Sequence, residues 1–225
     1  MTDASPTQKL PIGVVISGGG TNLQSLIDRA LDGSLPVEIK LVVSNNPDAF
    51  GLERAKKAGI PTRVVDHRGF GDRGAFEEAL IEVLDGARVE LVALAGFMRV
   101  LTPLFVNHYA GRLLNIHPAL LPSFPGLNVQ QQAIDAGVRF SGATVHFVTE
   151  GVDAGPIVAQ AVVPILPHDD AKALAARILQ QEHRLYPLAI RLFAEGRLSI
   201  NGQRVEIQAP PTEAGPSLLN PPEGA

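Results

Sequence analysis

Cysteine and tryptophan are absent from the sequence, and only 5% of its residues are aromatic. Without cysteine the protein has no disulfide, no thiol catalysis, no iron–sulfur cluster and no cysteine-ligated zinc. No apolar run approaches the roughly 18 residues that a membrane span needs. The first nine residues, MTDASPTQK, lack the apolar core of a signal peptide. We therefore expect a cytoplasmic protein that binds no membrane.

Positive charge is not in excess either. The 225 residues include 19 basic and 23 acidic side chains, which gives a formal net charge of -4. Because this balance offers no basic surface, we expect no nucleic-acid partner. The content of hydrophobic residues, 45%, and of charged residues, 19%, is instead typical of a globular protein with a substantial core.

Short apolar, β-branched runs alternate with amphipathic helical patterns along the first half of the chain. The runs show little alternation of polar and apolar residues, which is typical of strands buried on both faces of a parallel sheet. They occupy residues 11–16, 38–43, 62–65, 89–94 and 112–116. Repeated strand–helix units with short links predict a doubly wound α/β fold.

The pattern changes after residue 117. Two strand-like runs, 143–148 and 157–163, are joined by only eight residues, which is too short for a helical crossover. We therefore expect an antiparallel strand pair in the C-terminal half of a mostly parallel sheet. A long helix is predicted from Asp169 to Phe193, with a kink near Pro187.

The segment SGGGTN, from Ser17 to Asn22, lies between the first strand and the first helix. Glycines bring backbone N–H groups to the start of a helix, where an anion is favoured. A plain strand–helix turn is the alternative. The segment lacks the G-x-G-x-x-G spacing and the acidic residue of a dinucleotide site, and no Lys-Ser/Thr pair follows as in a Walker loop. A monophosphate is the ligand that fits best.

Asn115 and His117 end a central strand and, being two residues apart, point to the same side of it. An amide donor beside an imidazole suits acyl transfer, in which one group stabilises an oxyanion and the other moves a proton. Asp153 could orient such a histidine and favour its charged form. The alternatives are a polar strand end for the first pair and a turn-forming role for Asp153.

Glu182 lies in an apolar row of the long helix, where a carboxylate needs a partner. We consider Arg177, Arg184 or a ligand hydroxyl as that partner. His146 is expected either to face out of its strand or to pack beneath the site. The histidines show no metal-ligand spacing, so no metal is predicted.

Five stretches, in order, carry a family resemblance: ISGGGTNLQSLID, SNNPDAFGLERAKKAGIP, LAGFMRVLTPLFVNHYAGRLLNIHPALLPSFPGL, GATVHFVTEGVDAGPIVAQ and QEHRLYP. Together they resemble the phosphoribosylglycinamide formyltransferases, folate-dependent enzymes of purine biosynthesis. The resemblance covers about residues 11–205 and implies the Rossmann-like fold of that family. It also implies transfer of a formyl group from 10-formyltetrahydrofolate to the amine of glycinamide ribonucleotide, without a metal, by a monomer or homodimer.

The resemblance assigns roles to individual residues. It implies that the phosphate is held by Gly20, Thr21 and Asn22, and that Glu182 contacts the ribonucleotide. The implied catalytic trio is Asn115, His117 and Asp153, with Asn115 also near the folate. The implied folate pocket comprises Arg73, Met98, Arg99, Val100 and Leu101, bordered by residues 149–153. The family often has a basic residue at Ser123 and a histidine at Asn128, so details of the folate loop and of substrate entry are less well supported.

We expect a single domain over residues 11–205, in which the N-terminal half binds the ribonucleotide phosphate and the C-terminal half binds folate. Residues 1–10 are expected to be flexible, and residues 206–225, rich in proline and glycine, to be disordered. Short flanks disfavour formyltetrahydrofolate deformylases, which carry an extra N-terminal domain, and methionyl-tRNA formyltransferases, which carry a C-terminal RNA-binding domain. A non-catalytic nucleotide-binding module is the remaining alternative.

Overall fold

The computed structural model describes residues 9–208 and the backbone of residues 219–220. The chain forms two compact units, with the boundary between Arg99 and Val100. The single domain expected from the sequence stays a prediction. The elements of the first unit are β1 (Leu10–Ile16), α1 (Thr21–Leu31), β2 (Val37–Ser44), α2 (Phe50–Lys57), β3 (Thr62–Val64), a 3-10 turn (His67–Gly69), α3 (Arg73–Gly86) and β4 (Leu91–Leu94).

The strands of the first unit pair in the order β3-β2-β1-β4, and each pair is parallel. The apolar stretch Val14–Ile16 of β1 is fully buried, as expected for a strand covered on both faces. The parallel arrangement predicted from the unalternating runs is confirmed. Its strands end at one edge, where the functional loops of such sheets lie.

The second unit is built mainly from antiparallel pairs. Its strands follow the order β5-β6-β7-β9-β8, and β10 pairs with β7. The predicted antiparallel pair, β6 with β7, is confirmed, and β5 is also antiparallel to β6. The elements are α4 (Pro103–His108), β5 (Leu113–His117), α5 (Val129–Asp135), β6 (Phe140–Phe147), β7 (Ile157–Pro164), α6 (Ala171–Ala194), β8 (Leu198–Asn201), β9 (Arg204–Ile207) and β10 (Leu219–Asn220).

Polar residues share one side of β5 and β6. Asn115 pairs with His146 and His117 with Thr144 across the two strands, so their four side chains lie on the same face. The register of β6 with β7 shifts between Val145 and His146. Irregularities of this kind are often found beside active sites, where they redirect a side chain. We refer to Asn115, His117, Thr144 and His146 as the polar face.

Helix α6 begins after Asp170, whose carboxylate accepts a hydrogen bond from the amide of Ala173 at 2.7 Å. This N-cap satisfies a donor that the first turn would otherwise leave unpaired. The helix ends at Ala194, one residue beyond the predicted end, and Pro187 lies inside it.

The hairpin of β8 and β9 was not predicted from the sequence. Its two-residue turn is Gly202-Gln203, and Gly202 has a φ of +60°. Glycine at the first position of a two-residue turn between β-forming residues is a hairpin signal, so the information was present. Residue 205, the predicted domain boundary, lies inside β9. The expected flexible N-terminus and disordered tail fall mostly on residues outside the described ranges, although the backbone of residues 219–220 pairs with β7.

Candidate active site

The glycine loop, Ser17 to Asn22, depends on a close approach of two backbones. Gly20 has a φ of +68°, and a Cβ atom at this position would lie 2.6 Å from the Cα atom of Gly51. The amide of Gly51 donates a 3.0 Å hydrogen bond to the carbonyl oxygen of Gly18. Glycine is therefore required at residue 20 both for its conformation and for the space that a side chain would fill.

The loop leads into the first turn of α1, which begins with an exposed Thr21 and a buried Asn22. Gly20 is the N-cap and offers no side-chain cap, and the first turn contains no acidic residue. Arg54 donates a 2.8 Å hydrogen bond to the carbonyl oxygen of Gly19, which brings a positive charge to the loop. These features suit an anion at the helix N-terminus.

Ser17 links the glycine loop to two neighbouring segments of the first unit. Its hydroxyl donates to Asn45 Oδ1 at 2.7 Å and accepts a hydrogen bond from the amide of Met98 at 2.9 Å. Asn45 in turn contacts the imidazole of His67, with Nδ2 3.2 Å from Nδ1. The start of the glycine loop is thus fixed by hydrogen bonds to the segments that follow β2 and β4.

The residues predicted for folate are exposed or half-buried. Met98 is 66% exposed, and Arg99 lies over the ring of Phe76, with 5.7 Å between guanidinium and ring centroid. Exposed apolar side chains of this kind can cover one side of a flat heteroaromatic ring. The predicted set is Arg73, Met98, Arg99, Val100 and Leu101, of which Arg99 and Leu101 are half-buried.

The second unit brings the predicted trio together. Asn115 and His117 project from the polar face, and Asp153 reaches them from the loop between β6 and β7. Asp153 Oδ2 lies 3.3 Å from His117 Nδ1, and the two side chains are 14% and 5% exposed. This arrangement places an amide, an imidazole and a carboxylate in one largely dehydrated group, where electrostatic interactions are strong.

Both ring nitrogens of His117 face acceptors. Nε2 lies 2.9 Å from the carbonyl oxygen of Phe124, so Nε2 carries a proton. Nδ1 faces Asp153, and an attractive contact there needs a second proton. Phe124 has a φ of +55°, an uncommon conformation for a bulky residue, and its carbonyl is the group that holds His117. The surroundings therefore suit an imidazolium.

Asp153 is held in a turn with a φ of +51°. Its Oδ2 accepts a 2.9 Å hydrogen bond from the amide of Gly126. Burial raises the pKa of Asp153, but the Gly126 hydrogen bond and the positive charge of His117 oppose this effect, and the pKa lies below its ordinary value. Asp153 is therefore an anion at neutral pH.

His146 is the member of this cluster that sequence reasoning missed as a functional residue. Of the two placements expected for it, facing out of the strand is wrong, and His146 instead packs against the site. Its side chain is 2% exposed, and Nε2 lies 3.6 Å from Asp153 Oδ1 and 3.2 Å from Asn115 Nδ2. The signal was the spacing of Thr144 and His146, two polar residues at i and i+2 in the apolar run ATVHFV. It matches the spacing of Asn115 and His117.

The loop that follows His117 is held from below by Thr144 and Gln160. The hydroxyl of Thr144 donates to the carbonyl oxygen of Ala119 at 2.7 Å and accepts from the amide of Leu121 at 3.1 Å. The amide of Gln160 donates to both Thr144 Oγ1 and the carbonyl oxygen of Leu121. These bonds fix the backbone between His117 and Phe124, whose carbonyl oxygen contacts the His117 ring.

Glu182 lies on the buried side of α6, as its position in the apolar row predicted. One turn further on, the hydroxyl of Tyr186 donates a 3.1 Å hydrogen bond to the carbonyl oxygen of Leu114, the residue before Asn115. Arg177, one of the partners considered for Glu182, forms an ion pair with Asp169. Helix α6 thus contacts β5 directly beside the trio.

Within the part of the chain that the structure describes, no group of His, Asp and Glu side chains is arranged to hold a metal ion. Within the same residues, no helix has the length and apolar character needed to cross a bilayer.

The model of the Formyl transferase family matches residues 11–190. The chain belongs to this family. The phosphoribosylglycinamide formyltransferase of Escherichia coli strain K12 is 47% identical over 204 residues, which cover 88% of this chain and 96% of that protein. The crystal structure of glycinamide ribonucleotide transformylase 1 from Symbiobacterium toebii superposes with a TM-score of 0.87 at 51% identity, covering 89% of this chain and 94% of that one.

This formyl transferase is also similar to a much longer protein. The trifunctional purine biosynthetic protein adenosine-3 of Drosophila melanogaster is 50% identical over 192 residues, or 84% of this chain. The chain spans 14% of that relative's length. The resemblance and the mostly parallel α/β fold with antiparallel strands in its C-terminal half, both predicted from the sequence, are confirmed.

Proposed function

We propose that this formyl transferase moves the formyl group of 10-formyltetrahydrofolate to the amine of glycinamide ribonucleotide. The products are formylglycinamide ribonucleotide and tetrahydrofolate, in de novo purine biosynthesis. The observation that carries this proposal is the cluster of buried His117 with half-buried Asn115 and Asp153, which combines a hydrogen-bond donor, a cation and an anion. The names of the similar proteins from Escherichia coli and Symbiobacterium toebii support the same substrates.

Asn115 is assigned to the oxyanion. The neutral amine of the ribonucleotide attacks the formyl carbon, and the formyl oxygen becomes negative in the tetrahedral intermediate. When the intermediate collapses, the bond between the formyl carbon and N10 of the folate breaks, and N10 takes up the proton that the amine loses. The amide nitrogen of Asn115 has two hydrogens, of which one is directed to His146. The other is available to the developing negative charge, which is the step at which such donors contribute most.

His117 and Asp153 set the charge around the reacting atoms. With a proton on each ring nitrogen, as its contacts with two acceptors require, His117 adds positive charge beside the oxyanion. Direct proton transfer through His117 would break one of its two contacts. We therefore assign the proton that leaves the amine and reaches N10 of the folate to a water at the exposed edge of Asp153.

The glycine loop and Glu182 are assigned to the ribonucleotide. The amides at Gly20, Thr21 and Asn22 receive the phosphate at the start of α1, and Glu182 accepts a hydrogen bond from a sugar hydroxyl. The folate is assigned to the partly exposed residues after β4 and to Arg73. This assignment of the folate is supported by exposed apolar side chains such as Met98, which can pack against a pterin ring.

A spectrophotometric assay tests this proposal. The absorbance change on conversion of a 10-formyl folate is followed with and without glycinamide ribonucleotide. We expect conversion only when the ribonucleotide is present. Conversion at the same rate without it would mean that water is the acceptor, as in a deformylase, and an absence of conversion in both cases would favour a binding module.

A further inference from the structure

His146 takes no part in the proposed chemistry, yet it lies opposite Asn115 in the pairing of β5 with β6. Its side chain is almost completely buried, and both of its ring nitrogens have polar neighbours. Burying a polar side chain costs free energy unless its hydrogen-bonding groups have partners. Its contacts therefore indicate what it does.

The backbone sets the tautomer of His146. Nδ1 lies 3.0 Å from the carbonyl oxygen of Phe147, and a carbonyl can only accept a hydrogen bond. Nδ1 therefore carries a proton. In the neutral ring, Nε2 is then left with a lone pair and can only accept.

That lone pair decides the orientation of the Asn115 amide. The nitrogen and oxygen ends of an asparagine side chain are nearly identical in shape, so packing alone does not distinguish them. Nε2 of His146 lies 3.2 Å from Nδ2 of Asn115, where it accepts a hydrogen bond. With the amide reversed, the oxygen of Asn115 would face the same lone pair and repel it.

We propose that His146 is a positioning residue that holds the Asn115 amide with its nitrogen, not its oxygen, towards the reacting atoms. This inference rests on the proposed function, in which the second N–H of Asn115 serves the oxyanion. A reversed amide would present a carbonyl oxygen to a negative charge and would oppose the reaction.

The competing arrangement is a charged His146 that donates from Nε2 to Asp153. Its distance of 3.6 Å to Oδ1 is too long for a hydrogen bond, whereas the contact with Asn115 is within range. The closer contacts of Asp153, from the Gly126 amide at 2.9 Å and His117 Nδ1 at 3.3 Å, are both made by Oδ2 and leave Oδ1 facing His146 beyond hydrogen-bonding distance. The geometry therefore supports a neutral His146.

Two substitutions of similar polarity separate the roles that His146 could have. Glutamine carries its amide oxygen near the former position of Nε2, so His146→Gln retains the acceptor for Asn115 but loses the bond to Phe147. Asparagine reaches only the position of Nδ1, so His146→Asn retains the bond to Phe147 and loses the acceptor. We expect kcat to fall about tenfold in His146→Asn, to stay near wild type in His146→Gln, and the KM values for both substrates to change little.

The ranking of the two variants decides between the alternatives. If His146 only anchors the strand to Phe147, His146→Asn will be the more active variant, which overturns the proposal. If His146 carries a proton in the reaction, both variants will lose kcat equally, which also overturns it. Thermal unfolding of each variant identifies a loss of activity that comes from misfolding.

A double-mutant cycle and a spectroscopic measurement complete the test. If His146 acts through Asn115, His146→Asn lowers kcat no further in an Asn115→Ala background; independent, multiplying effects would contradict this.

Long-range proton–nitrogen correlation of the His146 ring in the wild-type protein is expected to show the proton on Nδ1 alone. A proton on Nε2 overturns the inference even if a variant fails to fold. If the wild type shows no ribonucleotide-dependent transfer, the proposed function fails, while the ring measurement still tests His146.

Discussion

The glycine loop after β1 and the polar face of β5 and β6 present functional groups in opposite ways. The loop offers backbone amides from consecutive residues, and several of its residues are exposed. The polar face offers buried side chains, and its contact between Asn115 and His146 joins positions 31 residues apart. The loop therefore depends on the absence of side chains at its glycines, whereas the polar face depends on which side chains the strand register places together.

The two regions should consequently fail in different ways when single residues are changed. A substitution on the polar face should remove chemistry and leave the fold largely intact, because the strands are held by their own hydrogen bonds. A substitution in the glycine loop should disturb local packing first, because two backbones approach each other closely there.

The largest effect is expected for Asn115→Ala. Loss of the donor to the oxyanion should lower kcat about a hundred- to a thousandfold, with a smaller change in KM. Steady-state kinetics with both substrates measures the change, and Asn201→Ala at the exposed end of β8 is the matched control. A near-wild-type kcat in Asn115→Ala would contradict the oxyanion role of Asn115. It would also contradict the expected difference between the polar face and the glycine loop.

An intermediate effect is expected for Gly20→Ala. The new Cβ would lie 2.6 Å from the Cα atom of Gly51 in a conformation that alanine rarely adopts. We expect a loss of about 1–3 kcal/mol in the free energy of unfolding, measured in urea, and weaker ribonucleotide binding.

The control for Gly20→Ala is Gly18→Ala, whose Cβ would meet nothing within 4 Å. It should unfold close to wild type. Equal losses of stability in the two variants would mean that close packing at Gly20 is not what distinguishes the loop from the polar face.

The smallest effect is expected for Asp169→Asn, outside both regions. Hydrogen bonds from Arg177 and from the amide of Leu166 lower the pKa of Asp169 from 3.8 to about 2. A lowered pKa in the folded state means that the carboxylate contributes stability above its ordinary pKa, and that this contribution is lost as the pH falls towards 2.

The thermal midpoint of Asp169→Asn should therefore be slightly below that of the wild type at neutral pH, and the difference should vanish near pH 2. The kcat should not change. A midpoint difference that persists at the lowest pH would show that the ion pair is not its source.

The sequence predicted those features that depend on neighbouring residues. The succession of β1 to β7 along the chain, the glycine loop and the presence of Glu182 in a buried row all follow from local periodicity and turn chemistry. Asn115 and His117 were found because their spacing lies within one strand. Their roles and that of Asp153 came from the family resemblance and stay predictions.

The rest required the three-dimensional pairing of distant segments. His146 was missed because only the register of β5 with β6, and the irregularity before His146, bring it to Asn115. The carbonyl of Phe124 holds His117 from a residue with a positive φ. Phenylalanine rarely adopts this conformation, so the sequence does not indicate it. The β8–β9 hairpin is different, because the glycine that begins its two-residue turn is a local signal in the sequence that was overlooked.

The most direct test of the proposed reaction follows the formyl group itself. Folate carrying a carbon-13-labelled formyl group is incubated with the protein and glycinamide ribonucleotide, and the labelled products are identified by mass spectrometry. The account predicts that the label appears on the glycinamide nitrogen in step with the formation of tetrahydrofolate. Label found only in free formate would contradict it, because water and not the ribonucleotide would then be the acceptor.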